Sequence, residues 1–363
     1  MKILRKNGGG LPQSRKADFR HLRRNPVTAV TKAIPAQDYT LRMRVLIPGG
    51  SGQVGTRLAR HLYAAGHEVT VLSRDPQEHP EQLWTTLKWD GLNPGPWAEE
   101  IGRSDAVIHL SGRSINTRFT PENRRQIIES RVLPTRLLGR LIAASPTPPR
   151  VWINASAVVY YPDPANLPQD EFTPAGSSPA FTDSVTQQWE AALAETPTPR
   201  TRKIRMRTSL MMSPDAGGVF AMLSKLARLG LGGTQGPGTQ FVSWMHDHDY
   251  CRAVDLLLAR PEITDASNGM VNMCAPGPLP NREFQRALRQ AWNVPVGLPA
   301  STWMLKIGAR LMGAEPELIL ISRRVVPGVL QKSGFEFNFP EWPAAAADLA
   351  ARSRKKKMVA ELA

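Results

Sequence analysis

Arg44-Val45-Leu46-Ile47-Pro48-Gly49-Gly50-Ser51-Gly52-Gln53-Val54-Gly55 is the stretch that decides the fold. Arg44–Ile47 make a short apolar strand, and the glycines follow at once. Val54, Leu58 and Leu62 then recur at helical spacing up to Gly66. Glu68–Leu72 is the next strand, so one strand–turn–helix–strand unit occupies about 30 residues. Small residues in the turn let the backbone approach a pyrophosphate, and the helix N-terminus behind it supplies N–H donors. This context predicts a dinucleotide held by Gly49, Ser51, Gly52, Gln53, Val54 and Gly55.

The pattern repeats along the chain. Ala106–Leu110 is a buried strand ending at Ser111-Gly112, a long helix runs from about Glu122 to Ala144, and Val151–Ala155 is a further strand. Alternating strands and helices predict an α/β fold: a Rossmann-type, doubly wound parallel sheet. From about residue 162 Pro, Gly and Ser become frequent around a helix at 183–195. Lys203–Met212 reads as a strand and Val219–Leu229 as a helix. Asp249 is expected to cap a helix at 250–259, and Asn281 one at 282–292. The expected organisation is a dinucleotide-binding domain over 43–296, with substrate-side insertions from about 162, and a small C-terminal domain over 297–345.

The second strand ends Leu72-Ser73-Arg74. A hydroxyl and a guanidinium there suit a ribose 2′-phosphate, so NADP(H) is the expected cofactor. Asp75, one step on, is the residue that argues for an unphosphorylated ribose.

The net charge of +15 suggests a nucleic-acid partner until it is mapped. Residues 1–42 carry +8 and residues 352–363 carry +4, leaving +3 for the folded part. The ends are expected to be a basic extension and a basic tail from residue 346, solvated rather than bound to nucleic acid. Residues 1–42 are Arg-rich and acid-poor, as an organelle transit peptide is, but Gly8-Gly9-Gly10, Pro12 and Pro26 interrupt any amphipathic helix. A cytoplasmic protein is the expectation, an organelle-targeted one the alternative. No apolar run reaches the roughly 18–20 residues that span a bilayer, so no membrane partner is expected. Cys251 and Cys274 show neither metal spacing nor a disulfide framework.

Gly49-x-x-Gly52-x-x-Gly55, Val107–Gly112 and Ser156-Ala157-Val158-Val159-Tyr160 resemble the extended short-chain dehydrogenase/reductases. Trp89-Asp90, Trp189-Glu190, Leu229–Gly233, Trp244-Met245-His246, Arg324–Pro327 and Gly334–Pro340 resemble a divergent, epimerase-family branch of NADP-dependent oxidoreductase-like proteins with a small C-terminal domain. The resemblance spans about 43–345. It implies that Leu110, Ser111 and Gly112 line the nicotinamide side and that Trp89 and Asp90 lie near the adenine.

In that superfamily a tyrosine, a lysine four residues on, and a serine form a general acid/base unit. Ser156 matches the serine. Phe181 stands where the tyrosine belongs and Val185 where the lysine belongs, and neither can move a proton. Three expectations follow. An oxidoreductase or epimerase acts on a small carbonyl, hydroxyl or sugar-like substrate with a substitute acid, drawn from Tyr160, Tyr161 or His246. Alternatively, the chain is a non-catalytic NADP(H)-binding sensor or scaffold. In the third, the basic ends recruit nucleic acid or an acidic partner.

Overall fold

The structure, a computed structural model, describes residues 42–76, 83–161, 167–174, 180–311, 313, 315 and 317–362. The expected extension, apart from Arg42, lies outside the described residues. In chain order the strands are β1 (Arg44–Pro48), β2 (Glu68–Ser73), β3 (Thr85–Lys88), β4 (Ala106–His109), β5 (Val151–Ala157), β6 (Arg202–Thr208), β7 (Leu210–Met212), β8 (Phe241–Val242), β9 (Trp244–His246), β10 (Met270–Met273) and β11 (Leu279–Pro280). The helices are α1 (Gln53–Ala64), α2 (Glu99–Arg103), α3 (Pro121–Ala144), α4 (Phe181–Glu195), α5 (Val219–Arg228), α6 (Asp247–Ala259), α7 (Asn281–Ala291), α8 (Thr302–Leu311), α9 (Glu317–Leu320), α10 (Gly328–Lys332) and α11 (Trp342–Leu362).

Seven strands form a parallel sheet in the order β10-β6-β5-β4-β1-β2-β3. The strand order reverses between β1 and β4, which opens a crevice at their C-terminal ends. Alternate residues of β1 explain why both faces are covered. Val45 and Ile47 pack with Leu58 and Leu62 of α1 and Val254 and Leu257 of α6. Leu46 packs on the other side with Ile101 of α2, Leu137 and Leu138 of α3 and Leu193 of α4. Strands buried on both faces read as continuous apolar runs, as these do.

A second core joins α5, α7 and α11 through Phe220, Leu223, Phe284, Leu288, Trp342 and Leu349. Trp342 stacks on Phe284 at 4.1 Å between centroids and donates its indole N–H to the Phe284 carbonyl at 2.9 Å. The basic segment expected as a tail from residue 346 is therefore the C-terminal part of a docked helix. Its anchor is Arg352, whose guanidinium forks onto Asp247 at 2.7 and 3.0 Å.

Other local departures have physical causes. The strand read over 203–212 is two strands, because Ser209 turns its N–H to Met273 and β7 leaves the sheet to pair with β9. The helix assigned to 250–259 starts three residues earlier. His246, not Asp249, caps it, with Nδ1 accepting from the His248 N–H at 3.1 Å. Asn281 is the first residue of α7 rather than its cap, and its Oδ1 accepts from the Gln235 N–H.

Candidate cofactor and reaction cleft

The glycine loop sits where β1, β2 and β4 end together. Gly49 has φ +79°, and a side chain there would meet the Ser111 backbone at 2.7 Å. Only glycine combines that conformation with that approach. Gly55 acts by packing: a Cβ would fall 2.5 Å from the Gly50 Cα, so its absence lets α1 close on the loop. Val54 packs partly against the core. Gly52 caps α1 without a side-chain bond, and the first turn of the helix holds no acid. The positive end of the helix dipole is left uncompensated there.

Polar groups without partners line the same crevice. The Ser111 hydroxyl and the Gln53 amide nitrogen are buried and make no hydrogen bond among the described residues. Ser51 lies on the loop's rim, half-buried. A side chain at Gly218, which caps α5, would overlap Gln53, so the loop before α5 lies directly over this residue. Leu110 donates its N–H to the Pro48 carbonyl at 2.8 Å and thereby fixes β4 against the loop. At the end of β2, the Ser73 hydroxyl closes a small turn with Asp75 and is itself buried. That turn presents Arg74 to solvent with no ionic partner among the described residues. Buried donors and an unpaired cation around a glycine cradle are what a phosphate-bearing dinucleotide needs.

Arg131 escaped the sequence reading. Its guanidinium lies 5.1 Å from the Trp189 ring centroid, and a side chain on Gly112 would touch it at 3.1 Å. It donates to the Ile127 carbonyl and meets no carboxylate among the described residues, and burial pulls its pKa down to about 10. An arginine inside a helical pattern reads as a solvated face. Only the fold shows that it turns toward the end of β4.

Trp89 and Asp90 follow β3 beside the end of β2, where the Trp89 N–H reaches the Ser73 carbonyl at 3.1 Å. The Trp89 ring is in the core, edge-on to Trp97 at 5.3 Å. The Asp90 carboxylate closes its own turn, accepting from Asn93 and Leu92. These bonds, those of Asn93 foremost, hold its pKa at about 2.

The expected acid/base residues fare differently from one another. Ser156 is buried and donates to Glu190 at 2.6 Å. Glu190 in turn accepts a two-pronged ion pair from Arg207 at 2.8 Å. Arg207 also donates to the Tyr161 hydroxyl, which donates to Asn272. Tyr161 is thus locked inside a buried network, and burial raises its pKa against the opposing pull of Arg207 and Asn272. His246 is likewise committed to neighbours. It is fully buried, stacks on Phe339 at 3.8 Å and pairs with Asp348, while burial pulls its pKa far down. Tyr160 remains. It is half-buried with its ring 3.5 Å from the Arg207 guanidinium carbon, and its hydroxyl makes no hydrogen bond among the described residues.

Phe181 and Val185 pack with Ile127 in an apolar cluster between α3 and α4, and Phe119 meets Phe181 edge-on at 4.8 Å. The two positions that would carry the usual proton chemistry are core positions here. Glu190 and Arg207 were not assigned roles from sequence, because a partner 17 or 34 residues away leaves no local signal. Among the described residues, no three His, Cys, Asp or Glu side chains converge as a metal site.

A parallel sheet reversing at β1/β4, with a glycine cradle at that point, defines a Rossmann-type dinucleotide-binding protein. Residues 45–274 match the NAD dependent epimerase/dehydratase family, and residues 300–349 match a domain of unknown function, DUF1731. The chain belongs to that epimerase/dehydratase family. It is 34% identical over 308 residues to epimerase family protein SDR39U1 of Bos taurus, covering 84% of this chain and 98% of the relative. The crystal structure of human epimerase family protein SDR39U1 (isoform 2) with NADPH is similar at TM-score 0.71 and 28% identity, covering 85% of this chain and 99% of that one. A nucleoside-diphosphate sugar epimerase from Corynebacterium glutamicum is similar at TM-score 0.67 and 27% identity, covering 88% of this chain and 62% of that one.

Proposed function

We propose that the chain is an NADP(H)-binding oxidoreductase of the epimerase family, acting on a small carbonyl, hydroxyl or sugar-like compound without the tyrosine–lysine pair. The observation that carries the cofactor is the unpaired, exposed Arg74 directly after β2, with the buried, unbonded Ser111 hydroxyl facing Gly49. The NADPH in the human relative's structure supports the same choice. Gly49, Gly52 and Gln53 would hold the pyrophosphate, Arg74 the 2′-phosphate, and Ser111, Gly112 and Arg131 the nicotinamide half. When bound, the reduced nicotinamide supplies a hydride. Tyr160 is the residue we assign to hold the proton at the substrate oxygen, since its hydroxyl is uncommitted and it lies four residues from Ser156. Ser156 donates its hydroxyl to Glu190 and is assigned no proton transfer.

A second reading, a sensor or scaffold that binds NADP(H) without turnover, draws on the burial of Phe181 and Val185. The test is to purify the protein, identify the nucleotide that co-purifies, and follow reduced-nicotinamide absorbance with a panel of carbonyls and nucleotide sugars. Turnover that Tyr160→Phe abolishes while NADPH still binds supports the oxidoreductase. A bound cofactor that never changes redox state supports the sensor.

A further inference from the structure

Helix α8 is turned partly inside out. Ala309 is buried and Leu305 faces Gly236, but Trp303 is 65% exposed and Met304 and Ile307 are exposed beside it. Leu229 and Leu231, just past α5, and Leu298, just before α8, are exposed as well. These segments are tied together: Leu298 donates its N–H to the Gly230 carbonyl at 2.7 Å, and Ala300 to that of Thr234 at 2.9 Å. One exposed leucine is ordinary. Six large apolar side chains on adjoining segments mark a docking surface.

The charges around it select the partner. Helix α5 ends in Lys225 and Arg228, α8 carries Lys306 and Arg310, and neither helix contains an acid. Arg228 and Arg354 each lie 5.3 Å from the Trp292 ring centroid, which brings the basic half of α11, with Lys355, to the end of α5 beside Leu229. Two copies meeting through this face would set these cations against each other. A tryptophan and aliphatic side chains ringed by Lys and Arg suit acyl chains below and acidic headgroups above.

We propose that this face lies on an anionic lipid surface, placing the cofactor cleft at a membrane without spanning it. No described helix is long and apolar enough to cross a bilayer, and lying on one requires none. The expectation of no membrane partner rested on the absence of a span, and a peripheral face is not governed by it.

The test is flotation of the full-length protein with vesicles of phosphatidylcholine alone, or of phosphatidylcholine and phosphatidylglycerol at roughly three to one. The protein should float with the anionic vesicles only and be released as salt rises from about 0.05 to about 0.5 M. Trp303→Ser with Ile307→Ser should lower its partitioning at least about tenfold. Lys306→Glu with Arg310→Glu should do the same, and both pairs should leave NADPH titrations unchanged. No flotation of the native protein, or flotation that neither pair reduces, overturns the proposal. So does a solution dimer, seen by light scattering, that Trp303→Ser dissociates.

Discussion

Replacing Glu190 by Ala strips a buried guanidinium of its counter-ion. Arg207 is 1% exposed and has given both prongs of its fork to Glu190, so water cannot take the carboxylate's place. Breaking one partner out of such a pair costs about 3–5 kcal/mol, because the remaining charge stays buried. Against a total stability of roughly 5–15 kcal/mol, that is a large fraction. The Tyr161 hydroxyl and the Tyr160 ring still face Arg207, and both favour the cation, so we expect the loss near the lower end, about 3 kcal/mol. Urea melts followed by tryptophan fluorescence read it directly. The double variant Glu190→Ala, Arg207→Met removes both charges and should lose clearly less than the two single losses combined, with a coupling of about 2 kcal/mol or more. A Glu190→Ala loss below about 1 kcal/mol, or strictly additive losses, would refute the buried pair.

Three further outcomes follow from the same geometry. Gly49→Ala should cost about 2–4 kcal/mol in combined folding and cofactor-binding free energy, since it pays for a positive φ and a backbone overlap with Ser111; melts and NADPH titration together measure it. His109 donates from Nδ1 to Asn154 and is fully buried, and burial lowers its pKa to about 4. Its folded value lies below the unfolded one, so its stabilising contribution is whole above about pH 6.5. That contribution is lost as pH falls from there toward about 4, by up to about 3 kcal/mol. Melts at stepped pH on the native chain and on His109→Gln should show the variant to be flatter over this window. Arg131→Met should weaken NADPH binding about tenfold while leaving thermal stability unchanged or raised, since no carboxylate is left unpaired. Unchanged affinity would remove Arg131 from the cleft.

How much was legible beforehand depends on the range of the interactions. Arg44–Gly55 could be read because strand, turn and helix lie within a dozen residues and each glycine answers a local demand. Its role at Gly49 involves Ser111, yet the positive φ alone already asks for glycine. The place of Arg74 was legible for the same reason, directly after a strand. The reaction side was not. Ser156 looked like a donor to substrate until Glu190, 34 residues on, accepted its hydrogen bond. Tyr161 looked available until Asn272, 111 residues away, and Arg207 enclosed it. His246 looked like a cleft residue until α11 supplied Asp348. That helix was itself hidden, because its small alanines and clustered cations resemble a solvated tail; Trp342, Ala345, Ala346 and Leu349 bury one side of it. Phe181 and Val185, in contrast, could be read as unable to move a proton, since that follows from their chemistry and not from their surroundings.

The central claim is that the crevice at β1/β4 selects NADP(H) through Arg74. Titrating the native chain and Arg74→Glu with NADPH and NADH, by cofactor fluorescence at fixed salt, tests it most directly. Charge-assisted bonds to a 2′-phosphate contribute about 1.5–3 kcal/mol, so the native chain should prefer NADPH roughly 10- to 100-fold. Arg74→Glu should abolish that preference and leave NADH binding within about a factor of three. Equal affinities in the native chain, or equal losses of both cofactors in the variant, would contradict the account.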